Sequence, residues 1–202
     1  TTVTNNNVVT ITNSTFDSNI ATTIGGGLAF VTGGGRYNVS ISGSTLSNNT
    51  ANASTTTLGG GGMTFTGLTD AGFLIRNSTI SGNKALNGGG LNFVTLTGTP
   101  APTVNIWNST IANNTSTNTL ATVGLGGGGI AVPVSAVAPT VNIESSIVAS
   151  NTSSNGRDSI AAIATATVNH TFSAIDDADG FAYVQGNNLS LANSTKTLLE
   201  LG

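Results

Sequence analysis

Apolar residues along this chain alternate with polar ones at a period of two, in short blocks separated by glycines and turn-forming residues. The pairs Val9/Ile11 and Leu28/Phe30 show the spacing. Successive side chains of a β-strand point to opposite faces, whereas a helix needs apolar residues at i, i+3 and i+4, and no block sustains that spacing. The pattern predicts short β-strands, each with one buried face, and not helices.

Five of these blocks align with one another without gaps over their first eleven residues. They are VTITNSTFDSN from Val9, VSISGSTLSNN from Val39, FLIRNSTISGN from Phe73, VNIWNSTIANN from Val104 and VNIESSIVASN from Val141. Successive blocks begin 30, 34, 31 and 37 residues apart. A period of roughly 20 to 50 residues is typical of a solenoid, in which each repeat buries its apolar face against its neighbours.

A glycine run and a second apolar alternation follow four of the five blocks, as in Gly25-Gly26-Gly27 before Leu28 and Phe30, and the run has degenerated in the fifth repeat. Each repeat therefore contains three predicted strands. The first is the Val-x-Ile piece, the second surrounds the position of Phe16, and the third follows the glycines. Length varies in residues 51–59 and 115–126, which we expect to be surface loops.

Stacking the equivalent strands in parallel register predicts an all-β fold, a right-handed parallel β-helix with three short strands and about 30–37 residues per coil. We expect residues 1–202 to form a single domain, with repeats starting near residues 9, 39, 73, 104 and 141 and a degenerate last coil at about 165–190. Like residues then stack in rows. One buried row comprises Ile11, Ile41, Ile75, Ile106 and Ile143, and a second comprises Phe30, Phe65 and Phe93 with Val132.

An asparagine recurs where each coil must turn, at Asn19, Asn49, Asn83, Asn114 and Asn151. A side-chain amide can both donate to and accept from the equivalent amide above and below it, so this row predicts a structural asparagine ladder. The glycine runs fit the same corners, because glycine adopts positive φ and allows close approach of the backbone.

Two elements of the repeat resemble a known family. The pairing of Phe16-Asp17-Ser18-Asn19 with Gly26-Gly27-Leu28 resembles the repeats of chlamydial polymorphic outer membrane proteins. The segment from Asn77 to Asn83 is similar to the N-S-T-I-S-G-N repeats of large bacterial surface proteins, and the resemblance covers about residues 9 to 190. Later repeats replace the Phe with Leu46, Ile80, Ile111 and Val148. The resemblance implies an extracellular or cell-surface β-helix module, often adhesive, with no catalytic motif.

Composition narrows the candidate partners. Only 6% of the residues are charged, and five Lys plus Arg against eight Asp plus Glu give a net charge of −3, which leaves no basic stripe for nucleic acid. An apolar content of 38% argues against a disordered linker. Cysteine is absent, which removes disulfides and thiolate chemistry, and no apolar run reaches the roughly 18 residues of a transmembrane segment.

One outward row carries unusual side chains, since the position after the buried Ile holds Arg76, Trp107 and Glu144 in successive repeats. Stacking predicts that the guanidinium lies beside the indole, as a cation–π contact or a platform for carbohydrate stacking. The alternative is a surface aromatic that packs laterally and binds nothing.

Other candidate chemistry is sparse. Asp176, Asp177 and Asp179 precede a glycine and could hold a calcium ion, or they form a solvated acidic turn. No two acids occupy the same row of adjacent repeats, and His170, the single histidine, has no identifiable catalytic partner, so we expect neither an active site nor a bound cofactor. Sequons recur within the repeat, including those at Asn13, Asn77 and Asn108.

Four functional hypotheses follow. The first is a non-catalytic structural or adhesive module that binds a host or glycan ligand, and the second is a subunit that self-associates end to end into a filament through open solenoid ends. The third is a polysaccharide-active enzyme, and the fourth is an ice-binding face, for which T-x-T pairs such as Thr10/Thr12 are too sporadic.

Overall fold

The structure is a computed structural model that describes residues 6–31, 36–53, 55, 57–68, 72–97, 101–133, 135, 137–176, 178–179 and 189–190. Within these residues the chain forms 24 strands and no helix. In chain order the strands are β1 (Asn6–Thr12), β2 (Thr15–Asp17), β3 (Ile20–Ala21), β4 (Leu28–Val31), β5 (Arg36–Ser42), β6 (Thr45–Ser47), β7 (Thr50–Ala51), β8 (Met63–Leu68), β9 (Phe73–Arg76), β10 (Thr79–Ser81), β11 (Lys84–Ala85), β12 (Leu91–Thr97), β13 (Thr103–Trp107), β14 (Thr110–Ala112), β15 (Thr115–Ser116), β16 (Ile130–Val132), β17 (Thr140–Glu144), β18 (Ile147–Ala149), β19 (Thr152–Ser153), β20 (Ile160–Ala162), β21 (Thr167–Thr171), β22 (Ala174–Ile175), β23 (Ala178–Asp179) and β24 (Leu189–Ser190).

These strands stack into four parallel sheets that run the length of the molecule. Sheet A has the order β1-β5-β9-β13-β17-β21, and sheet B has the order β2-β6-β10-β14-β18-β22-β24. Sheet C has the order β3-β7-β11-β15-β19, and sheet D has the order β4-β8-β12-β16-β20-β23. Each neighbouring pair comes from successive coils and is parallel. The chain is therefore an all-β parallel solenoid of about five coils, which confirms the predicted fold class.

Sheet C is an addition to the three strands predicted for each coil. Its members are two residues long, such as β7 and β11, and each follows the ladder asparagine that ends the preceding turn. A strand of two residues has a single inward-facing position, so it cannot display the alternation that predicts the other strands. The full coil thus has four strands.

The interior consists of rows of like side chains in direct register. Ile41 pairs with Ile11 on one side and with Ile75 on the other, and the row continues to Ile143 and then to the buried His170 of the last coil. Phe73 of sheet A contacts the phenylalanine row of sheet D, with its ring centroid 5.4 Å from that of Phe65 and 5.5 Å from that of Phe93. These edge-to-face contacts fill the space between the two sheets.

The fifth coil keeps its shape without a glycine run. Arg157, Asp158 and Ser159 occupy the place of the glycines, since Gly129 N donates to Asp158 O at 3.1 Å and Ile130 N donates to Ser159 O at 2.8 Å. Ile160 then pairs with Ile130 in sheet D. A further coil begins at β21, only 27 residues after the fifth block, and extends sheets A and B.

One predicted surface loop is partly internal. Within residues 117–126, the side chains of Asn118 and Leu125 are buried. Asn118 Nδ2 donates to Asn87 Oδ1 at 3.0 Å, and Gly126 N donates to the same oxygen at 2.8 Å. The polar composition that predicted exposure instead supplies partners for buried backbone groups.

Candidate functional site

Each of the first five coils passes through two corners, one before sheet B and one before sheet C, at which a residue has left-handed backbone conformation. Gly25, Gly60, Gly88 and Gly127 add a third such residue at the start of the glycine runs. The first such residue has φ between 47° and 59°, and the set comprises Asn13, Gly43, Asn77, Asn108, Ser145 and Phe172. The second has φ between 55° and 66°, and the set comprises Ser18, Asn48, Gly82, Asn113 and Ser150. Asparagine and glycine adopt this conformation most readily, which explains why they dominate both sets. The N-S-T motif is the first of these corners.

A column of serines follows the first corner. In each coil the serine N–H donates to the Oγ of the equivalent serine in the next coil, as from Ser44 to Ser78 at 3.1 Å and from Ser78 to Ser109 at 3.2 Å. Each Oγ donates in turn to the carbonyl two residues before it, as from Ser78 to Arg76 O at 2.8 Å. The column comprises Ser14, Ser44, Ser78, Ser109, Ser146 and Ser173. It satisfies backbone groups at a corner where no strand pairing reaches them.

The column of asparagines follows the second corner, and its inner members use all of their side-chain hydrogen-bonding capacity. Asn114 Oδ1 accepts from the backbone N and from Nδ2 of Asn83, at 3.0 and 2.9 Å. Asn114 Nδ2 donates to Ile80 O at 2.9 Å and to Asn151 Oδ1 at 3.0 Å. The same pattern links Asn19 to Asn49 and Asn49 to Asn83. The hydrogen bonds between amide side chains all run from one coil to the next, so the ladder has a direction, while the second Nδ2 hydrogen of each inner amide donates to a carbonyl of the preceding coil.

The glycine runs leave the space into which the ladder side chains fit. A Cβ on the third glycine of the run would lie only 2.9 to 3.1 Å from Nδ2 of the ladder asparagine in the following coil, as for Gly90 against Asn114. A Cβ on the second glycine would meet backbone atoms, as for Gly89 at 2.5 Å from Thr115 N. Ser159 can replace a glycine in the fifth coil because no ladder asparagine follows it.

The ladder ends at the acidic cluster that the sequence offered as a calcium site. Asn151 Nδ2 donates to Ser159 Oγ at 3.2 Å, Ser159 Oγ donates to Asp176 Oδ1, and Ser150 N donates to Asp176 Oδ2 at 2.5 Å. Asp176 thus accepts hydrogen bonds from the protein itself. Asp177 lies outside the described residues, and Asp179 is described only as backbone. Among the described residues no three His, Cys, Asp or Glu side chains are grouped for a metal ion.

The outer face of sheet A brings together Arg76, Trp107 and Glu144. Trp107 pairs with Arg76 on one side and with Glu144 on the other, and its side chain is 37% exposed. Arg76 Nε donates to Ser42 Oγ at 3.2 Å, on the side away from Trp107. This hydrogen bond directs at least the Nε edge of the guanidinium toward the preceding coil. The indole therefore lies between a cation and an anion at the surface of a regular sheet.

A second polar column lies next to this row on sheet A. Asn142 Nδ2 donates to Asn105 Oδ1 and Asn169 Nδ2 donates to Asn142 Oδ1, both at 2.9 Å. The side-chain amides of Asn105, Asn142 and Asn169 are thus hydrogen-bonded to one another. Because Asn105 is two residues before Trp107 in β13, its side chain leaves the same face of the sheet.

The outer face of sheet B carries a column of threonines. The column runs across successive coils, so T-x-T pairs within one strand do not reveal it. The column comprises Thr15, Thr45, Thr79 and Thr110, and each is the last residue of the N-S-T or G-S-T motif. The alignment of the repeats already places these threonines at equivalent positions. At the first coil Asp17 Oδ1 accepts from Ser47 Oγ at 2.5 Å and from Asn48 Nδ2 at 2.9 Å. These hydrogen bonds, with one from Ser18, lower the pKa of Asp17.

A shallow polar groove of about 220 Å³ lies along sheet C. Thr50, Asn52, Lys84 and Thr117 contribute hydroxyl, amide and ammonium groups to it. Elsewhere on the surface, three of the sequon asparagines, Asn13, Asn77 and Asn108, lie at exposed corners.

Comparison with known proteins returned no match to a protein-family model, to a curated protein or to a solved structure. In the part of the chain that the structure describes, no helix has the length and apolarity needed to cross a bilayer.

Proposed function

We propose that this chain is a rigid, non-catalytic structural and adhesive module of an extracellular or cell-surface protein. The observation that carries the proposal is the fixed row of Arg76, Trp107 and Glu144 on sheet A. The ladders beneath it satisfy the corners of the coils, so the spacing between neighbouring coils is held at about 4.8 Å along the molecule. A side chain on such a face is positioned before a partner arrives, and less entropy is lost on binding.

The chemistry of this face favours a hydroxyl-rich partner such as a glycan. An exposed indole offers an apolar surface against which a sugar ring can stack, and Asn105 and Asn142 place amides beside it. Arg76 and Glu144 are of opposite charge, so the row has no net charge with which to select a strongly acidic or basic partner. The resemblance to bacterial surface repeats supports the same class of function and the cell-surface location.

The acids of the described residues support the non-catalytic part of the proposal. Asp17 accepts hydrogen bonds from Ser47 and Asn48, Asp176 accepts from Ser150 N, and Asp158 Oδ1 accepts from Ser153 N at 2.7 Å. The corners and strands of the coils supply these hydrogen bonds, which gives each of the three carboxylates a structural role. A structural and adhesive function requires no cofactor.

The test is a binding screen of the purified chain against immobilised glycans and host-cell surface proteins. We expect a glycan ligand whose affinity falls about tenfold or more in Trp107→Ala, because the stacking surface is lost. Leu120→Ala is the matched control, since Leu120 is an exposed apolar side chain in residues 117–126, outside sheet A. Unchanged affinity in Trp107→Ala, or no ligand at all, would remove the adhesive function.

Two further measurements address the remaining parts of the proposal. Protease treatment of intact source cells should remove the module if it lies at the cell surface. Incubation with acidic and neutral polysaccharides, with and without calcium, should release no product, and release of an unsaturated or shortened glycan would identify an enzyme instead.

A further inference from the structure

The first corner after β21 carries a residue that its backbone conformation disfavours. Phe172 has a φ of 49°, whereas asparagine, glycine or serine occupies this left-handed corner in the five preceding coils. Ser145 N and Ser173 Oγ both donate to Thr171 O, at 3.0 and 2.9 Å, so the corner is held in this conformation from two sides. Backbone strain persists where the surrounding structure imposes it, and it concentrates at ligand-binding sites. Phe172 is therefore a candidate for binding a ligand and is not required by the fold.

The side chain of Phe172 points away from the core because of the corner on which it lies. It is 65% exposed. Asn77 and Asn108 are exposed at the same corner, although coils stack on both sides of each of them. The exposure of Phe172 therefore follows from its position on the corner and does not depend on where the stack of coils ends. A ligand that covered this ring would remove apolar surface from water.

Phe172 lies on the same edge of sheet A as Trp107. In that sheet Trp107 pairs with Glu144, and Glu144 pairs with Thr171, the residue directly before Phe172. Two coil spacings, or roughly 10 Å, therefore separate the two aromatic residues along the axis of the solenoid. Glu144 lies in the coil between them. Trp107, Glu144 and Phe172 form an aromatic edge in which a carboxylate separates two rings.

Hydrogen-bonding groups lie beside the aromatic edge in the same three coils. Asn105, Asn142 and Asn169 form the polar column of sheet A, two residues before the row that contains Trp107 and Glu144. Asn142 Nδ2 and Asn169 Nδ2 each donate one hydrogen within this column. An amide nitrogen carries two hydrogens, so each of these side chains has a second one that can donate to a ligand.

The arrangement of the aromatic edge selects a sugar chain over other occupants. A pyranose ring has apolar C–H faces and hydroxyl groups at its rim, so it can stack on an aromatic ring and hydrogen-bond to a carboxylate or an amide beside it. The cores of protein interfaces are depleted of charged residues, whereas Glu144 lies at the centre of this edge. A lipid tail at the same place would bring the carboxylate into contact with hydrocarbon, which is unfavourable.

We propose that the aromatic edge binds an extended neutral glycan whose chain runs parallel to the solenoid axis, with one sugar unit stacked on Trp107 and another on Phe172. This inference rests on the adhesive function proposed above and names its ligand. The spacing of the coils is close to the length of one pyranose unit in an extended β-linked chain. The two stacked units are therefore the first and third of three, and the hydroxyls of the middle unit donate to Glu144.

The experiment uses Phe172→Asn, which restores a residue type that the corner prefers. Isothermal titration calorimetry measures the affinity for cello-oligosaccharides and for N-acetylated chito-oligosaccharides, each as the disaccharide and the tetrasaccharide. We expect the native chain to bind the tetrasaccharide of one series about tenfold more tightly than its disaccharide, because only the longer chain reaches both rings. Phe172→Asn should lose this preference and yet unfold at a higher temperature than the native chain, so that misfolding does not explain the loss.

The matched control is Phe172→Tyr, which keeps a stacking ring at the same corner and should keep the preference for the tetrasaccharide. If Phe172→Asn keeps it as well, Phe172 does not bind the glycan and the inference is wrong, while weaker binding by Trp107→Ala would still support the adhesive function. Binding of neither series overturns the inference, and the glycan screen described above then decides separately on the adhesive function. Equal or tighter binding of a tetragalacturonate would overturn the neutral ligand. Self-association of the native chain that Phe172→Asn abolishes would show that a second copy occupies this edge instead.

Discussion

Replacing one ladder asparagine with aspartate separates the ladder's hydrogen bonds from its packing. Asn114→Asp changes an amide NH₂ to an oxygen at nearly constant shape, at a side chain with no exposed surface. In the native protein Nδ2 of Asn114 donates to Ile80 O and to Asn151 Oδ1. The variant places an oxygen against both of these acceptors.

The expected loss follows from the groups left without a partner. A protonated carboxyl keeps one O–H donor and can restore one of the two donated hydrogen bonds. The acceptor left without a partner costs about 1–3 kcal/mol, so the free energy of unfolding should fall by roughly 1–3 kcal/mol when the new carboxyl is protonated and by more when it is ionised. Burial raises the pKa of that carboxyl above its value in the unfolded chain. The protonated form is then favoured by folding, so the destabilisation is smallest below the unfolded pKa and grows as the pH rises through the folded pKa.

Equilibrium denaturation can be followed by the fluorescence of Trp107, the single tryptophan of the chain. The control is Asn113→Asp, the same substitution one residue earlier, at an exposed corner with φ of 57° that aspartate tolerates. We expect the control to lie within about 0.5 kcal/mol of the native protein. If the two variants have equal stability at pH 7, or if their difference does not shrink toward pH 4, the hydrogen bonds of the buried amides do not stabilise the coils.

Three further predictions follow from the corners and faces of the coils. Gly89→Ala should lower the free energy of unfolding by about 3 kcal/mol, because its Cβ would lie 2.5 Å from backbone atoms. The control is Gly156→Ala, whose Cβ would meet no atom within 4 Å, and in the same denaturation assay it should lower the free energy of unfolding by only about 1 kcal/mol. Phe172→Asn should raise the free energy of unfolding by about 1 kcal/mol, because Phe172 is an exposed aromatic residue held at φ of 49°, a conformation that asparagine adopts with less strain. An unchanged or lower midpoint of thermal unfolding would show that the backbone at Phe172 is not strained. The pKa of Asp17 should lie below its ordinary value in an NMR titration and rise in Ser47→Ala; the stability it adds is present above the unfolded pKa and is lost as the pH falls through the folded pKa.

Much of the fold could be predicted because the repeat carries it redundantly. Each buried row has at least four members, and the alternation of Val9 and Ile11 is repeated in all five aligned blocks, so no single substitution hides it. The positions of the ladder asparagines follow from the same alignment. Parallel in-register stacking then places like side chains one above another.

Other features could not be derived, because their signal does not lie in the local pattern. The strands of sheet C are too short to alternate. The fifth coil keeps its course with Ser159 in place of a glycine, since what matters there is whether an asparagine of the next coil needs the space. The burial of Asn118 depends on Asn87, which lies 31 residues away in the chain.

The candidate site likewise has features that the sequence predicts and features that only the structure shows. The row of Arg76, Trp107 and Glu144 was visible in the alignment, and the structure adds that Arg76 donates to Ser42 on the far side from the indole. A long side chain such as that of Arg76 can contact the coil on either side of it. The alignment gives the register of the strands but not the local acceptors and packing that decide between the two coils.

By itself, the sequence determined that the chain folds into stacked parallel coils, which rows are buried, and where each coil turns, because periodic apolar burial and left-handed corners are properties of each repeat. Only the tertiary structure decided the direction of the asparagine ladder and its termination at Asp176. An amide side chain can point either way in a symmetric column. The choice is made by which backbone carbonyl of the adjacent coil faces its nitrogen, and that contact exists only once the coils are stacked.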